Sequence, residues 1–525
     1  MQQGFGALRG SALVGLMLGL AACGGGDGDT NARSATVESL ANLCAPDNPL
    51  VRDAEGQLIA QVRQGSRTDE LRFMRAYLDE VYLWREHMPL LDPNAPDYQN
   101  GSFAQGMRRH FEALLSPALT PKGQRKDRFS DMLPSTVWKL VGEAGGARNF
   151  GLVFQGFTDK TPRDVRVALV HEGSPAAKAG VLRGERLRRL ETADGRSIDV
   201  LNASREADLA LMRRLLAHLV PAQRVVMVFD KADGTPRRVT LMSTQYQEPP
   251  VSALKVLTAA DGAKVGYLFI NAFALPLEGA MQQAFAELKA KGIQDLVVDL
   301  RYNGGGYVYQ AAQLAYMVAD TRLSAGKVFE RFQFNNLLQA EMPAARREQS
   351  FMHLTSGSRG TGVAGGRPLP NLGLKRVYVL TGPDTCSSSE SFINGLRGID
   401  VEVVLVGGTT CGKPFGSTAR DNCGLSYLPI LFTGFNHKGE GDYFDGLAPT
   451  CAVTDRLGQG TNTLGDPKET LLSVALRHRQ TGRCGSQAGA GASAKGLDER
   501  GAGAAEAPRL NRSPLREIKL LQPAG

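Results

Sequence analysis

The sequence has little that would support several common functions. Only two of its 525 residues are tryptophan, and no basic stripe is interleaved with aromatic side chains, which argues against nucleic-acid binding. Acidic and basic residues number 53 and 61, so the net charge of +8 belongs to a mixed surface. No C-x-x-C pair is present, and no two histidines have helical spacing. We therefore expect neither a metal nor a cofactor.

The composition is that of a globular chain with a sizeable core. Hydrophobic residues make up 42% and charged residues 22% of the sequence, and the length suffices for two to four domains. The apolar run "SALVGLMLGLAA" follows Arg9 and is too short to span a bilayer comfortably, as is typical of a signal-peptide core. The chain is therefore expected to be exported.

The residues at the end of this run resemble a bacterial lipoprotein signal. Leu20-Ala21-Ala22 precede Cys23, which would be acylated and become the first residue of the mature chain. Acyl chains bury methylenes at roughly 0.8 kcal/mol each, so they would hold the protein on a membrane. We predict a signal peptide at 1–23, a linker at 24–44, and a lipid-anchored protein in the bacterial cell envelope, in the periplasm. The alternative is a plain secretory signal with an incidental cysteine.

Six cysteines remain after Cys23, an even number that suggests disulfides in an oxidising compartment. Six cysteines allow fifteen pairings. Among these, we predict the local bridge between Cys411 and Cys423, which would brace the loop that carries Lys413. The six cysteines are Cys44, Cys386, Cys411, Cys423, Cys451 and Cys484.

The patterns along the chain predict a multidomain α/β protein. Apolar residues at helical spacing predict a mostly helical domain at 45–142, without candidate catalytic residues. From Lys264, apolar strands alternate with helices, which predicts a largely parallel sheet with helical cover in a core at 247–484. The segment 485–525 is rich in Gly, Ala, Ser and Pro, so we expect disorder there.

The segment 143–246 has a different order of elements. Strands, a Gly-Ser-Pro turn, a short helix and further strands follow one another, and "GSPAAKAGVLRGERL" resembles a PDZ domain. The resemblance implies that Phe150-Gly151-Leu152-Val153 forms a carboxylate-binding loop, with a peptide tail added beside a sheet edge. The alternative is a small α+β domain that binds nothing.

Two polar, glycine-bearing loops, "RYNGGG" and "TGPDTCSSSE", follow apolar strands of the core, where active sites of parallel sheets lie. Ser387 in "TGPDTCSSSE" precedes a helix whose free amides can stabilise an oxyanion. Lys413 in "VGGTTCGK" follows the next helix and strand, so its path returns to the same sheet edge. A neutral, buried lysine can accept a serine proton. Alternatively, Ser387 or Ser388 only caps the helix.

Three motifs, in order, resemble the C-terminal processing, or tail-specific, serine protease family: "DLRYNGGG", "CSSSE" and "VGGTTCGK". The resemblance covers about residues 70–480, and "KDRFSDM" is similar to the N-terminal region of some members. It implies Ser387 as nucleophile and Lys413 as general base. It also implies an oxyanion hole from the Ser388 amide with Gly305 or Gly304, and protein substrates held by their C-terminal tails.

The sequence departs from that family after the lysine. Many members have glutamine four residues on, where this chain has Ser417, so Thr409, Thr410 or Ser417 is left to orient Lys413. Histidine as base is the alternative chemistry. A catalytically silent, PDZ-type binding lipoprotein is the alternative function, and the absence of G-x-S-x-G around Ser387 disfavours an α/β-hydrolase esterase.

Overall fold

The computed structural model describes most of the chain between Thr36 and Gly485, and one short strand beyond it. The predicted signal peptide with Cys23, part of the linker, His218 and nearly all of the predicted disordered tail lie outside the described residues. Among the described helices, none is both long and apolar enough to cross a membrane. The described residues are 36–52, 56–58, 61–144, 148–158, 160–216, 224–246, 248–358, 360–458, 460–485 and 519–520.

The N-terminal region is built on two amphipathic helices. Ser66 caps α2 through its hydroxyl, and Ser102 caps α4 in the same way, so both begin where free backbone amides find an acceptor. The region is predicted as helical, but it also contributes a strand, β3, to a sheet with residues of the core. Its elements are α1 Val37–Leu40, β1 Leu43–Cys44, β2 Arg63–Gln64, α2 Arg67–Val81, α3 Pro96–Gln99, α4 Phe103–Leu114, β3 Asp131–Pro134, α5 Ser135–Ala144 and β4 Arg148–Asn149.

The PDZ-like segment forms a twisted antiparallel sheet with two helices. The strand order is β10-β9-β7-β6-β5, with β8 paired to β7. The short strands β4 and β11 pair where the segment is entered and left. Pro175 stands at the first position of α6 after the cap Ser174, as its sequence predicts. The elements are β5 Leu152–Gln155, β6 Arg166–Val170, α6 Pro175–Lys178, β7 Arg186–Thr192, β8 Ser197–Asp199, α7 Glu206–Leu216, β9 Arg224–Asp230, β10 Pro236–Met242 and β11 Thr244–Gln245.

The core contains a six-stranded sheet in the order β12-β13-β14-β18-β19-β24. Only the β12–β13 pair is antiparallel, which confirms the largely parallel α/β core. Its central strands are apolar runs that are buried on both faces. The elements up to β19 are β12 Val251–Thr258, β13 Lys264–Ile270, α8 Leu277–Ala290, β14 Asp295–Asp299, β15 Gly306–Tyr307, α9 Val308–Val318, α10 Thr321–Ser324, β16 Val328–Phe334, α11 Asn336–Glu341, β17 Glu348–Ser350, β18 Arg376–Thr381, α12 Ser388–Arg397 and β19 Glu402–Gly407.

The described residues form a second six-stranded sheet. Its order is β15-β25-β20-β23-β16-β17, so a strand from the end of the described chain stands between β15 and β20. A three-stranded sheet, β21-β22-β3, joins the core to the N-terminal region. The remaining elements are β20 Phe415–Ser417, β21 Arg420–Asn422, β22 Leu425–Leu428, β23 Ile430–Phe435, β24 Cys451–Ala452, α13 Thr470–Thr481 and β25 Lys519–Leu520.

A buried ion network fixes the turn that follows β14. The Arg301 side chain is 1% exposed and donates to Asp299 at 2.8 Å and to Glu469 at 2.7 Å. Glu469 also caps α13 by accepting from the amides of Leu471 and Leu472. A buried guanidinium is tolerated because carboxylates satisfy its donors. The "RYNGGG" loop is therefore anchored at its start to a helix on one face of the sheet.

Three disulfides are present, and the predicted pair is wrong. Cys423 bonds to Cys44 and Cys411 bonds to Cys386, with Cα–Cα distances of 5.4 and 5.1 Å. The third bond joins Cys451 to Cys484. The β21–β22 hairpin pairs with β3 and carries Cys423 toward the N-terminal region. Cys411 stays at the sheet edge, because β18 and β19 are parallel neighbours whose following loops lie side by side.

Candidate active site

The serine run after β18 contains one hydroxyl with no hydrogen-bond partner among the described residues. Ser388 Oγ donates to the carbonyl of Gly306 at 2.7 Å, and Ser389 Oγ donates to the carbonyl of Asn303 at 3.0 Å. Ser391 Oγ lies 3.3 Å from the Ser387 carbonyl, one turn back in the helix. Ser387 Oγ is buried and makes no such bond. Three of the four hydroxyls are therefore hydrogen-bonded within the described residues, and that of Ser387, the N-cap residue of α12, is not.

The Ser387 backbone adopts a conformation that non-glycine residues rarely take. Its φ is +61° and its ψ is −120°, directly before the first helical residue of α12. Such conformations cost of the order of 1–3 kcal/mol and persist only where the surroundings impose them. The amide of Ser388 is at the first position of the helix, the end at which the helix dipole stabilises negative charge. The hydroxyl therefore projects from a strained turn beside a donor.

The glycine loop after β14 packs directly on this turn. Gly305 has a φ of +112°, and a Cβ there would lie 2.6 Å from the Ser387 Cβ and 2.9 Å from its Oγ. Glycine is therefore required, because any side chain would collide with the serine. The Gly305 amide donates to Asn303 Oδ1 at 2.9 Å, and the Cys386 amide donates to the Asn303 carbonyl at 3.1 Å. Asn303 thereby shapes the glycine loop and ties it to the serine loop.

Glu390 joins the serine loop to the lysine loop. Its carboxylate lies one turn into α12 and accepts from the Ser387 amide at 3.0 Å. It also accepts from the amides of Gly412 and Lys413, each at 2.8 Å, and from the Thr410 hydroxyl at 2.5 Å. Both loops therefore take their backbone positions from one side chain. The sequence suggests Glu390 only as part of a helix cap.

The environment of Glu390 sets two effects against each other. The residue is fully buried, and burial raises the pKa of its carboxyl above the ordinary value. The hydrogen bonds from Thr410 and from the amides of Lys413, Gly412 and Ser387 act in the opposite direction, because they favour the ionised form. The raised pKa shows that burial outweighs the four donors.

Lys413 is buried at the end of the second loop. Ser387 and Lys413 each lie six residues beyond the paired residues Thr381 and Gly407, which end β18 and β19. The Lys413 side chain is almost fully buried, and its Nζ is 5.0 Å from the centroid of the Phe129 ring. Among the described residues Ser387 Oγ makes no hydrogen bond, so the approach of the lysine amine to this hydroxyl stays a prediction. Catalytic hydrogen bonds are often longer when substrate is absent.

Two residues of the N-terminal region contact the loop and the side chain of Lys413. The Arg128 guanidinium donates to the carbonyls of Cys411 at 2.8 Å and Phe444 at 3.0 Å, and so fixes the loop that leads to Lys413. Phe129 supplies the ring beside the Lys413 amine. Both residues belong to "KDRFSDM". The similarity of this motif to the N-terminal region of some family members is the sequence signal that could have pointed to them.

The disulfide between Cys386 and Cys411 ties the same two loops covalently. Cys386 precedes Ser387 directly, and Cys411 lies two residues before Lys413. The Cys411 amide also donates to the Thr385 carbonyl at 3.0 Å. The loops are thus held by one covalent bond, one backbone hydrogen bond and the Glu390 carboxylate.

The other predicted site residues are placed as follows. Thr410 is committed to Glu390, since its hydroxyl donates there and accepts from the Leu447 amide at 2.7 Å. Thr409 is exposed, whereas Ser417 is buried and its hydroxyl has no hydrogen-bond partner among the described residues. Ser417 is therefore the candidate of the three whose hydroxyl is still available.

No described histidine is hydrogen-bonded to Ser387 Oγ, which has no such partner among the described residues. The Lys413 amine is not hydrogen-bonded to this hydroxyl either, so lysine as base stays a prediction, with histidine as its alternative. Two of the histidines have partners elsewhere: His87 contacts the Ser116 hydroxyl, and His437 accepts from the Val328 amide.

The predicted carboxylate-binding loop of the PDZ-like segment is buried. Gly151 has a φ of +76°, and a Cβ there would lie 2.0 Å from the Ser174 Cβ. The Gly151 amide donates to Asn149 Oδ1 at 2.8 Å, and the Phe150 carbonyl accepts from the Ala176 amide at 3.0 Å. Strand β5, the last in the sheet order, begins at Leu152 and includes Val153. The loop is thus shaped by the start of α6.

The PDZ-like segment also contacts the serine loop. The Gln155 side-chain amide, at the end of β5, donates to the carboxylate of Asp384, three residues before Ser387. Val153 and Leu169 belong to the same buried cluster as Tyr302 of the glycine loop. The strand beside the predicted peptide groove therefore ends at the candidate active site.

Two groups of side chains have the proximity that a metal site requires. Cys386 and Cys411 lie near Glu390, and Cys451 and Cys484 lie near His478. In each group the two cysteines form a disulfide. Since thiolates rather than disulfide sulfurs bind metals, neither group offers a ligand set as it stands.

Comparison with known proteins finds similarity within the core. The family model for peptidase family S41 matches residues 264–428, from β13 to β22. A chloroplastic C-terminal processing peptidase of Tetradesmus obliquus is 28% identical over 207 residues, which are 37% of this chain and 42% of that protein. The chloroplastic carboxyl-terminal-processing peptidase 3 of Arabidopsis thaliana is 28% identical over 185 residues, 34% of each chain. The chain thus spans less than half the length of these curated relatives.

A solved structure shares the fold over a longer range. A protein of Bacteroides fragilis NCTC 9343, named as a candidate S41 protease, superposes with a TM-score of 0.56 and 22% identity. The match covers 78% of this chain and 97% of that one. At this identity the likeness shows a common fold.

Replacing Cys386 and Cys411 together with serine should destabilise the protein and loosen both loops. A closed loop of this length gives about 3 kcal/mol of stability by chain entropy. We expect urea unfolding to show that loss, and amide hydrogen exchange to rise around both Ser387 and Lys413.

The Cys451–Cys484 pair provides the matched control. Its sequence separation is 33 residues against 25, so serine replacement should cost a similar free energy of unfolding. Exchange around Ser387 should stay unchanged in that variant. Equal exchange at the two loops in both double variants would show that the Cys386–Cys411 bond has no local role.

Proposed function

We propose, on the premise that residues 264–428 form a peptidase family S41 domain, that this chain is a serine endopeptidase acting on protein substrates. Ser387 is the nucleophile and Lys413 the general base. The observation that carries the proposal is the Ser387 hydroxyl. It alone in its serine run lacks a partner, and it projects from a strained backbone at the start of a helix.

The chemistry follows the order of an acyl transfer. Lys413 Nζ, unprotonated, removes the hydroxyl proton as Ser387 Oγ bonds to the carbonyl carbon of the scissile peptide. The carbonyl oxygen takes up the negative charge of the tetrahedral intermediate. As the C–N bond breaks, Lys413 returns the proton to the leaving amine. Water, activated by the Lys413 amine, then hydrolyses the ester and regenerates the serine.

The oxyanion would rest on backbone amides at the meeting of the serine and glycine loops. The Ser388 amide opens α12 and adds the helix dipole. Of the two glycine amides that the resemblance implies, that of Gly305 already donates to Asn303 Oδ1. Gly304 is therefore the better second donor, with Gly305 available only if it shares its hydrogen.

Burial of Lys413 supports its role as base. Taking an ammonium out of water disfavours its charged form, whereas the face of the Phe129 ring favours it. A base must be neutral before it accepts the serine proton. The buried Ser417 hydroxyl, four residues along, is the proposed group that orients the amine, in place of the glutamine of many relatives.

The PDZ-like segment would select substrates by their carboxyl ends. A peptide tail would add along β5, with its carboxylate near the loop Phe150–Val153, and the contact between Gln155 and Asp384 would lead the chain toward Ser387. The engaged Gly151 amide limits how many donors this loop can offer.

The location proposed for the protein is the periplasm of a bacterial envelope, with acylated Cys23 as the membrane anchor. The supporting observations are the lipobox-like sequence and the three disulfides, which suit an oxidising compartment. Mass spectrometry of the membrane fraction should find a mature chain that begins at acylated Cys23. A mature first residue at another position would contradict this.

Three substitutions test the dyad. Ser387→Ala and Lys413→Ala should each abolish cleavage of casein or of a tailed peptide, because one removes the nucleophile and the other its base. Lys413→Arg should fail as well, since a guanidinium stays protonated and cannot accept a proton. Unfolding midpoints and secondary structure measured beside the activity should show that each variant is folded.

The tailed peptide with an amidated carboxyl end should have a higher KM and an unchanged kcat if the tail carboxylate is bound.

Near-native turnover by Lys413→Arg would rule out lysine as base and favour a histidine. If the wild type itself were inactive and still bound the tailed peptide, the catalytically silent binding protein would be supported instead.

A further inference from the structure

Strand β25 lies between β15 and β20 in the second sheet. Lys519 pairs with Gly306, and Leu520 pairs with both Tyr307 and Ser417, in parallel on each side. Within the described residues, β25 is what joins β15 to β20 in their sheet. A backbone segment of the chain itself thus fills the gap between two strands.

These two strands lead away from the two halves of the candidate active site. Gly306 follows Gly305, which packs on Ser387, and its carbonyl accepts from the Ser388 hydroxyl at 2.7 Å. On the other side, β20 begins two residues after Lys413. A chain lying between β15 and β20 therefore passes beside both catalytic loops.

The pairing of β25 with its neighbours is a backbone pairing. Strand addition uses main-chain hydrogen bonds for affinity, so any extended peptide can take the place. The chain between Gly485 and Lys519 spans roughly 110 Å when extended, which is ample for the segment to dock within its own molecule. Docking in the same chain also gives an effective concentration on the order of millimolar.

We propose that strand β25, Lys519–Leu520, lies in the substrate cleft of its own chain and inhibits it by competition. The proposal rests on the proposed function, because it assigns this cleft to peptide substrates. A substrate must displace β25 before it can pair with β15 and β20. If the docked form makes up nine tenths of the molecules, the apparent affinity for a competing peptide falls tenfold.

The test uses the full-length chain with Lys519→Pro and Leu520→Pro together. Proline has no N–H to donate to a neighbouring strand, so this variant should not hold β25 in place. The control carries Ala504→Pro and Ala505→Pro, the same chemistry outside the strand. For a peptide substrate, the β25 variant should show a KM lower by about tenfold with kcat unchanged, and the control should match wild type. An unchanged KM, or an equal fall in both variants, would overturn the proposal.

A binding measurement separates this proposal from the proposed function. In a Ser387→Ala background, a fluorescent peptide spanning residues 511–525 is titrated against the chain with and without the two β25 prolines. We expect about tenfold tighter binding to the proline variant, because its own strand no longer competes. Equal affinities would refute occupation of the cleft, whatever the activity. If wild type proved inactive or Ser387→Ala proved active, the catalytic assignment would fail while this result still stood.

Discussion

The carboxylate of Glu390 holds in place both loops that matter for the proposed chemistry. It accepts the backbone amides of Ser387 and Lys413 in the same buried pocket. Parallel strands alone bring the loops to the same edge of the sheet, but they do not set the two residues to within the fraction of an ångström that proton transfer needs. A rigid acceptor between the two backbones can do so, because each hydrogen bond has a narrow range of lengths.

Burying that acceptor has a cost which the neighbouring groups reduce but do not cancel. An isolated buried carboxylate would be strongly unfavourable, and four donors together with the start of α12 lessen the penalty. The Cys386–Cys411 bond then limits how far the loops can separate when the hydrogen bonds open. The glycine loop is fixed from the other side, through Asn303 at the serine turn and through Arg301 at α13. The strained Ser387 backbone persists because all these contacts impose it.

Much of this arrangement was predictable from sequence, for reasons that differ between parts. The alternation of apolar strands and helices indicated the parallel sheet, and the spacing of Ser387 and Lys413 indicated that both loops end at one sheet edge. The role of Glu390 was hidden, because a glutamate three residues into a helix is typical of a cap. The pairing of Cys44 with Cys423 depended on a long-range contact between β22 and β3, which no local pattern encodes. The position of β25 was equally hidden in a segment whose composition predicts disorder.

Replacing Glu390 with glutamine is the most direct test of the coupling between the loops. The amide has the same shape but offers one oxygen, so backbone donors of Ser387, Gly412 or Lys413 are left without an acceptor. The account predicts a fall in kcat of about a hundredfold, with faster amide exchange in both loops at once. Glu402→Gln, at an exposed position on β19, should leave both unchanged. Wild-type kcat and wild-type exchange in Glu390→Gln would contradict the claim that this carboxylate positions the site.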